Sequence, residues 1–334
     1  MSAQTPSCQL LSRDAFFDDP DFAGFWAVAP PDDPWLVSAA GGTISADEAT
    51  LERWRLADKP IASPLGQPLE AVPAAVLFWP KALKLAGWWL DWLSQSLPEG
   101  TPLAIVGEHG GGIRRASKML AERGLECEKR DGARRCSVFV TVTQKPEGAP
   151  TDAAWERFSA GDITLASHPG VFGHGKVDEG TALLLEALES TLGDAPLSVL
   201  DVGCGDGIIS AWLARRGHRV TAVDVNHFAV EATRCTLAAN ALEGRVLASD
   251  VYAGLEEDVR FDLIVSNPPF HQERNIDYGP AGRLIAEAPE RLNRGGQLVL
   301  VANAFLPYAE PLERAIGKFE VLADNRRFRV YRGK

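Results

Sequence analysis

The sequence predicts an α/β fold, and the pattern of residues 151–334 carries that prediction. Short apolar runs alternate there with amphipathic helical stretches. Strands separated by helices of this length form βαβ units, in which a parallel sheet lies between layers of helices. We expect a mostly parallel sheet whose last two strands form an antiparallel edge. Its seven strands are assigned to residues 197–202, 219–223, 245–248, 261–266, 297–302, 319–322 and 328–331, and helices to 208–216, 228–240 and 284–292.

The first half of the chain is predicted to be a separate domain of the same type. An alternating run at 136–142 is typical of a strand, and the Pro- and Gly-rich stretch 144–150 that follows it indicates a linker. We therefore place domains at 1–150 and 151–334. Residues 103–123 repeat the strand, glycine loop and helix pattern of the second half, with their glycines at 107–112. This repeat predicts two tandem Rossmann-like domains, the first a diverged copy.

Composition and charge exclude several classes of protein. No run approaches the roughly 20 apolar residues that a membrane span needs, so no membrane partner is expected. Five scattered cysteines without C-x-x-C spacing argue against disulfide and zinc frameworks and favour a reducing cytoplasm. The net charge of −11 argues against a general nucleic-acid binder and leaves local basic groups to bind a polyanion. The candidates are Lys129, Arg130, Arg134, Arg135, Arg326, Arg327, Arg329, Arg332 and Lys334.

A glycine-rich loop follows the first predicted strand of the second domain. Residues 201–207 read Asp-Val-Gly-Cys-Gly-Asp-Gly, and glycines there allow a sharp turn and a close approach of backbone to ligand. Nicotinamide and flavin enzymes share such a loop, but their spacing is G-x-G-x-x-G. Acidic residues beside the loop would repel a diphosphate at the helix N-terminus. The loop therefore favours S-adenosylmethionine, which has no diphosphate.

Three aspartates at successive strand ends extend this interpretation. Asp201 can accept from the methionine ammonium, Asp224 from the ribose hydroxyls and Asp250 from the adenine amino group, between Val225 and Val251. Each aspartate alone could be a helix cap, but three in succession favour a binding site. Cys204 needs no thiol role and fills the loop as a small residue. The predicted cofactor-binding residues are Asp201, Gly203, Cys204, Gly205, Asp224, Val225, Asp250 and Val251, with Asp178 and Phe172 as a lid over the methionine end.

The segment after the fourth predicted strand carries the methyl-acceptor chemistry. It reads Ser266-Asn267-Pro268-Pro269-Phe270. An aromatic amine is a poor nucleophile because its lone pair is delocalised into the ring. The Asn267 side-chain oxygen and the Pro268 carbonyl can accept its two hydrogens, Pro269 stiffens the turn, and Phe270 offers a stacking face. We predict Asn267, Pro268, Pro269 and Phe270 as catalytic residues that methylate a flat, sp2-bonded nitrogen, with no metal.

These motifs resemble the bacterial ribosomal small-subunit methyltransferase C family. The resemblance implies two class I methyltransferase domains, the first degenerate and used for RNA recognition or structural support. It also implies S-adenosylmethionine-dependent methylation of guanine N2 in 16S rRNA within the 30S subunit, by a cytoplasmic monomer. The resembling segments are 169–172, 177–185, 201–205, 266–272, 292–296, 301–308 and 328–332, with 80–81 and 106–108 in the first half.

Other methyltransferases remain open from the residues alone. A sister enzyme that methylates a guanine of 23S rRNA shares the two-domain plan. Adenine-N6 and protein-glutamine methyltransferases use a similar Asn-Pro-Pro-aromatic corner, although a glutamine enzyme usually carries Tyr where Phe270 stands. The alternative that is not an enzyme is a binding protein with a vestigial cofactor site. The intact aspartates and Asn267 argue against it.

Overall fold

The chain forms two compact units in a computed structural model. The units are Met1–Ala154 and Trp155–Lys334. The structure describes residues 2–13, 16, 19–67, 72–145, 154–268 and 279–334. Within this part of the chain no helix is long and apolar enough to cross a bilayer. Each unit is built on a seven-stranded sheet.

The first unit has the sheet order β3-β2-β1-β4-β5-β7-β6. Strands β1 to β5 pair in parallel, and β6 and β7 form an antiparallel edge against β5. The strands are β1 (Trp26–Val28), β2 (Gly42–Ile44), β3 (Ile61–Ala62), β4 (Ala75–Phe78), β5 (Pro102–Glu108), β6 (Glu128–Ala133) and β7 (Cys136–Val142). The helices are α1 (Pro6–Leu11), α2 (Pro34–Ala39), α3 (Glu48–Leu56), α4 (Leu83–Ser96) and α5 (Ala116–Ala121).

The second unit has the sheet order β12-β11-β10-β13-β14-β16-β15, preceded by the hairpin β8–β9. The strands are β8 (Glu156–Ala160), β9 (Ile163–Ser167), β10 (Ser198–Val202), β11 (Arg219–Asp224), β12 (Arg245–Ala248), β13 (Phe261–Ser266), β14 (Leu292–Asn303), β15 (Phe319–Asp324) and β16 (Phe328–Gly333). The helices are α6 (Glu179–Thr191), α7 (Ile208–Arg215), α8 (His227–Ala239), α9 (Pro280–Arg291) and α10 (Ala309–Ile316).

Alternating side chains of the second sheet fill two separate cores. Val199 and Val265 pack with α6, α7 and α8 on one face, whereas Leu200 and Ile264 pack with α9 and α10 on the other. Successive residues of a strand point to opposite faces, so a strand covered on both sides is apolar throughout. This is why the apolar runs of the sequence locate the strands, and the predicted seven-stranded, mostly parallel sheet is confirmed.

The two units have the same strand order, which confirms the predicted duplication and corrects one detail of it. The glycine-rich residues 107–112 begin at the end of β5. Strand β5 has the same place in the first sheet as β14 has in the second. The counterpart of the loop at 203–207 instead follows β1, where residues 29–33 read Ala-Pro-Pro-Asp-Asp. The pattern misled because any βα connection can be rich in glycine. The first unit therefore lacks a glycine loop at the equivalent position.

Tryptophans of α4 belong to the core of the first unit. Trp88 and Trp92 stack with ring centroids 6.2 Å apart, and both are at most 8% exposed. Trp92 also donates to the carbonyl of Pro64 at 3.0 Å. Residues this buried cannot stack on a nucleic-acid base, so their helical spacing reflects packing.

Candidate active site

A cavity of about 290 Å³ lies at the carboxyl ends of β10, β11, β12 and β13. Parallel pairing brings these ends to one edge of the sheet, since Val202 lies opposite Ser266 and Asp224 opposite Ala248. Ligands of open α/β sheets bind beyond the carboxyl ends of the strands. The predicted site residues that line the cavity are Phe172, Asp178, Gly203, Cys204, Gly205, Asp224, Val225, Asp250, Val251, Asn267 and Pro268.

The glycine loop presents bare backbone to this cavity. Gly203 and Gly205 have φ values of +76° and +58°, and a Cβ added at either would meet no heavy atom within 4 Å. The space in front of the loop is therefore open. At Gly207, with φ +82°, there is instead no room for a side chain, because a Cβ would lie 2.9 Å from the backbone of Thr233. The first two glycines leave room for a ligand, and the third lets α7 pack closely on α8.

Asp224 is fixed at the end of β11 by two backbone amides. Its Oδ2 accepts from the Gly205 amide at 3.0 Å, and its Oδ1 accepts from the Asn226 amide at 2.9 Å. Each carboxylate oxygen has further lone pairs, so both remain able to accept from a ligand in the cavity. The carboxylate thus joins the glycine loop to the end of the neighbouring strand and faces the same space.

Asp201 lies beneath the loop rather than in the cavity wall. Its side chain is fully buried, and its Oδ2 accepts from the Ser210 hydroxyl at 2.6 Å. Burial, with the Asp224 carboxylate nearby, raises the pKa of Asp201 to about 7 although the Ser210 bond opposes that shift. Asp201 is absent from the described residues that line the cavity. We therefore expect it to support the loop from below, in place of the direct ammonium contact expected from the sequence.

Asp250 faces the cavity from the end of β12 and is paired with a helix residue. Its Oδ1 accepts from Arg283 Nη2 of α9 at 2.6 Å. The next residue, Val251, lines the cavity with φ +57°, a left-handed conformation that is uncommon for a β-branched residue. Ser249 holds this turn by donating to the Val251 carbonyl at 2.8 Å and accepting from the Gly254 amide at 2.8 Å. The hydroxyl of Ser249 thus holds the turn that carries Asp250 and Val251, two of the three predicted adenine-site residues.

Asn267 is oriented by two partners and leaves one buried acceptor unused. Its Nδ2 donates to Asp178 Oδ2 at 3.1 Å and to Thr181 Oγ1 at 2.8 Å. A carboxylate can only accept, so the amide nitrogen must face Asp178. The opposite atom, Asn267 Oδ1, is buried and has no hydrogen-bond partner among the described residues. An unsatisfied buried acceptor costs about 1–3 kcal/mol, and a ligand donor in the cavity would remove that cost.

Asp178 lines the cavity and begins a helix. It is the N-cap of α6, where its Oδ2 accepts from the amides of Gly180 at 2.9 Å and Thr181 at 3.3 Å. The same oxygen holds Asn267. Phe172, at the mouth of the cavity, is 58% exposed. The start of α6 therefore forms part of the cavity wall and also holds the side chain of Asn267.

Cys204 is a packing residue of the loop. It is 4% exposed, and its Sγ accepts from the Thr233 hydroxyl at 3.1 Å. Burial raises the pKa of its thiol well above the ordinary value, so no thiolate is available for chemistry. Pro269, Phe270 and His271 lie outside the described residues.

Three supporting residues were not identified from the sequence. Thr181, Ser210 and Arg283 hold Asn267, Asp201 and Asp250 respectively. All three lie on helices, whereas the residues that they hold lie at or near strand ends. Thr181 and Arg283 are 86 and 33 residues away from their partners, and Ser210 is nine residues from Asp201. Only the position of Thr181, three residues after the N-cap Asp178, offered a signal.

The residues present fit S-adenosylmethionine. The open space before Gly203 and Gly205 admits a ligand along the loop, and Asp224 and Asp250 place acceptors at successive strand ends. Asn267 Oδ1, at the end of β13, is a further acceptor that has no hydrogen-bond partner among the described residues. No group of three or more His, Cys, Asp or Glu side chains able to hold a metal occurs among the residues with described positions.

Comparison with known proteins gives the same identification over both units. The methyltransferase small domain model matches residues 162–332, and the model of its N-terminal domain matches 60–158. Ribosomal RNA small subunit methyltransferase C of Chromohalobacter salexigens is 56% identical, over 99% of this chain and 98% of the relative. The protein of the same name from Pseudomonas entomophila is 41% identical, over 89% of each.

A solved structure extends the similarity to the fold. The T. thermophilus 16S rRNA N2 methyltransferase, in complex with AdoMet and guanosine, is 29% identical and superposes with a TM-score of 0.82. The match covers 97% of this chain and 92% of that one. Two sheets of the same order, a cavity at the carboxyl strand ends and full-length similarity agree: the chain belongs to the ribosomal RNA small subunit methyltransferase C family.

Proposed function

We propose that this protein transfers the methyl group of S-adenosylmethionine to the exocyclic N2 of a guanine in 16S rRNA. The observation that carries the proposal is Asn267 Oδ1, a buried acceptor that has no partner among the described residues, on a residue that lines a cavity that fits the cofactor. An amino group supplies the donor that this oxygen lacks. The T. thermophilus relative, solved with AdoMet and guanosine, supports the same pairing of ligands.

When bound, S-adenosylmethionine would supply an electrophilic methyl group, with its carbon–sulfur bond broken and S-adenosylhomocysteine as the leaving group, and the residues of the chain prepare the nitrogen that attacks it. Asn267 Oδ1 accepts one amino hydrogen, and the carbonyl of Pro268, which lines the same cavity, accepts the other. The two bonds draw the lone pair out of the ring and direct it toward the methyl group. As the nitrogen forms its new bond to carbon it becomes acidic, and its proton passes to solvent. Catalysis then depends mainly on positioning.

The cofactor is held by residues on both sides of the glycine loop. Asp224, held by the amides of Gly205 and Asn226, accepts from the ribose hydroxyls. Asp250 keeps Oδ2 for the adenine amino group while Oδ1 holds Arg283, and Val225 and Val251 flank the ring. The loop at Gly203, Cys204 and Gly205 leaves open space for the methionine end of the cofactor, and Asp178 and Phe172 cover that end.

The substrate in the cell is proposed to be 16S rRNA within the 30S subunit, acted on by a monomer in the cytoplasm. The first unit lacks the glycine loop after β1, and Trp79-Pro80-Lys81 follows β4 where Asn267-Pro268 follows β13. We infer that this unit recognises RNA or supports the fold without binding cofactor.

Methylation of purified RNA tests the proposal against its alternatives. Radiolabelled S-adenosylmethionine is supplied with the protein to 30S subunits, free 16S rRNA and 23S rRNA from cells that lack the gene. We expect N2-methylguanosine in 16S rRNA, detected by nucleoside mass spectrometry, with more label in 30S subunits than in free RNA. Label in 23S rRNA, in adenosine or in protein glutamine would instead support one of the other methyltransferase classes. The small-subunit name of the relatives favours 16S rRNA.

A further inference from the structure

An open groove lies beside the catalytic corner at the end of β14. Its walls are Asn303, Ala304, Phe305, Asp324, Arg326, Arg327 and Arg329. Strand β14 is the parallel neighbour of β13, with Leu300 opposite Ser266, so its carboxyl end faces the same edge as Asn267. Arg327 forms an ion pair with Glu179, which follows Asp178, the residue that holds Asn267. The groove therefore adjoins the site of the methyl acceptor.

The side chains of the groove combine an exposed ring with positive charge. Phe305 is 80% exposed. Arg329 pairs with Asp324 at 2.7 Å, whereas the Arg326 side chain makes no hydrogen bond or ion pair with the part of the chain that the structure describes. Three arginines face one aspartate in these walls, although the whole chain carries a net charge of −11. Positive charge concentrated at one place on an acidic protein is suited to a polyanion.

The same arrangement of arginines occurs in the first unit. There the residue after β5, His109, donates its amide to the Arg135 carbonyl at 2.7 Å; in the second unit the residue after β14, Ala304, donates its amide to the Arg327 carbonyl at 2.9 Å. Each carbonyl belongs to the second residue of an Arg-Arg pair at the tip of the antiparallel hairpin.

These arginine pairs occupy strained backbone positions. Arg134, Arg135 and Arg326 have φ values of +51°, +59° and +70°, which glycine or asparagine would adopt at lower cost. The first unit has no counterpart of the glycine loop or of Asn267, yet it has the pair. The arginine pair therefore occurs independently of the residues assigned to cofactor binding and methyl transfer.

We infer that the groove binds the single-stranded RNA that flanks the target guanine, with one base stacked on Phe305 and the adjacent phosphates paired with Arg326 and Arg327. The inference rests on the proposed function and names the part of the chain that holds its RNA. Aromatic rings stack on any base, and guanidinium groups bind phosphate oxygens in a bidentate way. The pair Arg134-Arg135 forms a second phosphate contact of the same type.

Binding of RNA in the absence of cofactor tests the groove separately from catalysis. The probe is a fluorescein-labelled single-stranded RNA that contains one guanine, titrated at several salt concentrations. Phe305→Ala is expected to weaken binding about tenfold at every salt concentration, and Phe305→Trp to keep it. Arg326→Ala is expected to reduce the slope of log K against log salt by about 0.7, and the double change Arg134→Ala, Arg135→Ala by about twice that.

Matched controls lie away from the groove. Arg294→Ala removes an exposed arginine at the opposite end of β14, and Leu56→Ala removes a side chain that is 78% exposed in the first unit. Both are expected to bind RNA as the wild type does. If Phe305→Ala and Arg326→Ala bound RNA with wild-type affinity and salt slope, RNA binding by the groove would be contradicted. The proposed function would be unaffected. A wild-type protein that fails to methylate 16S rRNA would instead overturn the proposed function.

Discussion

Asn267 Nδ2 lies 3.1 Å from Asp178 Oδ2, although 89 residues separate the two in the chain. This contact determines which way the Asn267 amide faces, because the carboxylate accepts and cannot donate. It also brings the N-terminus of α6 to the end of β13. The carbonyl oxygen has no hydrogen-bond partner among the described residues, and we propose it as the acceptor for the substrate amino group. The geometry leads to four predictions.

Asn267→Ala is expected to lower kcat for methyl transfer by roughly 100-fold or more, because loss of one preorganised transition-state contact has effects of this size. The affinity for S-adenosylmethionine, measured by calorimetry, is expected to stay near the wild-type value. The control Asn293→Ala makes the same change at the amino end of β14, at the opposite ends of the strands from the cavity. It is expected to leave kcat and the affinity for S-adenosylmethionine unchanged. Undiminished turnover in Asn267→Ala would remove the catalytic assignment.

Thr181→Val is expected to reduce kcat about fivefold, since one of the two bonds that orient the Asn267 amide is worth about 1 kcal/mol. Thr181→Ser keeps the hydroxyl and is expected to restore kcat, whereas KM for S-adenosylmethionine changes little in either variant. Kinetics with 30S subunits as methyl acceptor measure this difference. Equal losses in the valine and serine variants would mean that Thr181 acts through packing rather than through its hydrogen bond.

Asp224→Ala is expected to weaken S-adenosylmethionine binding about 10- to 100-fold, which is the effect of losing hydrogen bonds to a charged acceptor. The change also leaves the amides of Gly205 and Asn226 without their acceptor, which loosens the loop. Asp258→Ala, an exposed carboxylate on the loop before β13, is the matched control. Calorimetry that gave equal affinities for the two variants would contradict the role of Asp224.

Asp201→Asn is expected to flatten the pH dependence of stability. Burial raises the pKa of Asp201 from 3.8 to about 7, so the folded state binds this proton more tightly than the unfolded state. The free energy of unfolding therefore falls as pH rises from about 4 to about 7, and the loss between pH 5 and pH 8 amounts to about 2 kcal/mol. Asp206, whose pKa burial raises to about 6, adds a smaller loss in the same direction.

Urea unfolding at the two pH values measures this effect. The asparagine variant is expected to lose less stability than the wild type on going from pH 5 to pH 8. Asp258→Asn, which removes an exposed carboxylate, is expected to behave as the wild type does. A parallel loss in wild type and Asp201→Asn would show that Asp201 is not the group that titrates.

Strand positions were predictable because each strand of a parallel sheet covered on both faces must be apolar along its length. The predicted strand at 261–266 coincides with β13, and that at 245–248 with β12. Strand β14 begins at Leu292, earlier than the apolar run that located it, because its first residues include exposed polar side chains. The hairpin β8–β9 was not predicted, since short strands with mixed side chains give a weak periodic signal.

The sequence by itself determined the cofactor loop and the residues that follow each strand, because local backbone geometry and strand order bring those residues to one edge of the sheet. Only the tertiary structure decided which of them face the cavity. It put Asp201 beneath the loop against Ser210, and it oriented the Asn267 amide through Asp178 and Thr181. The two contacts of Asn267 join residues 89 and 86 apart in the chain, and hydrogen-bond direction depends on which groups packing brings together.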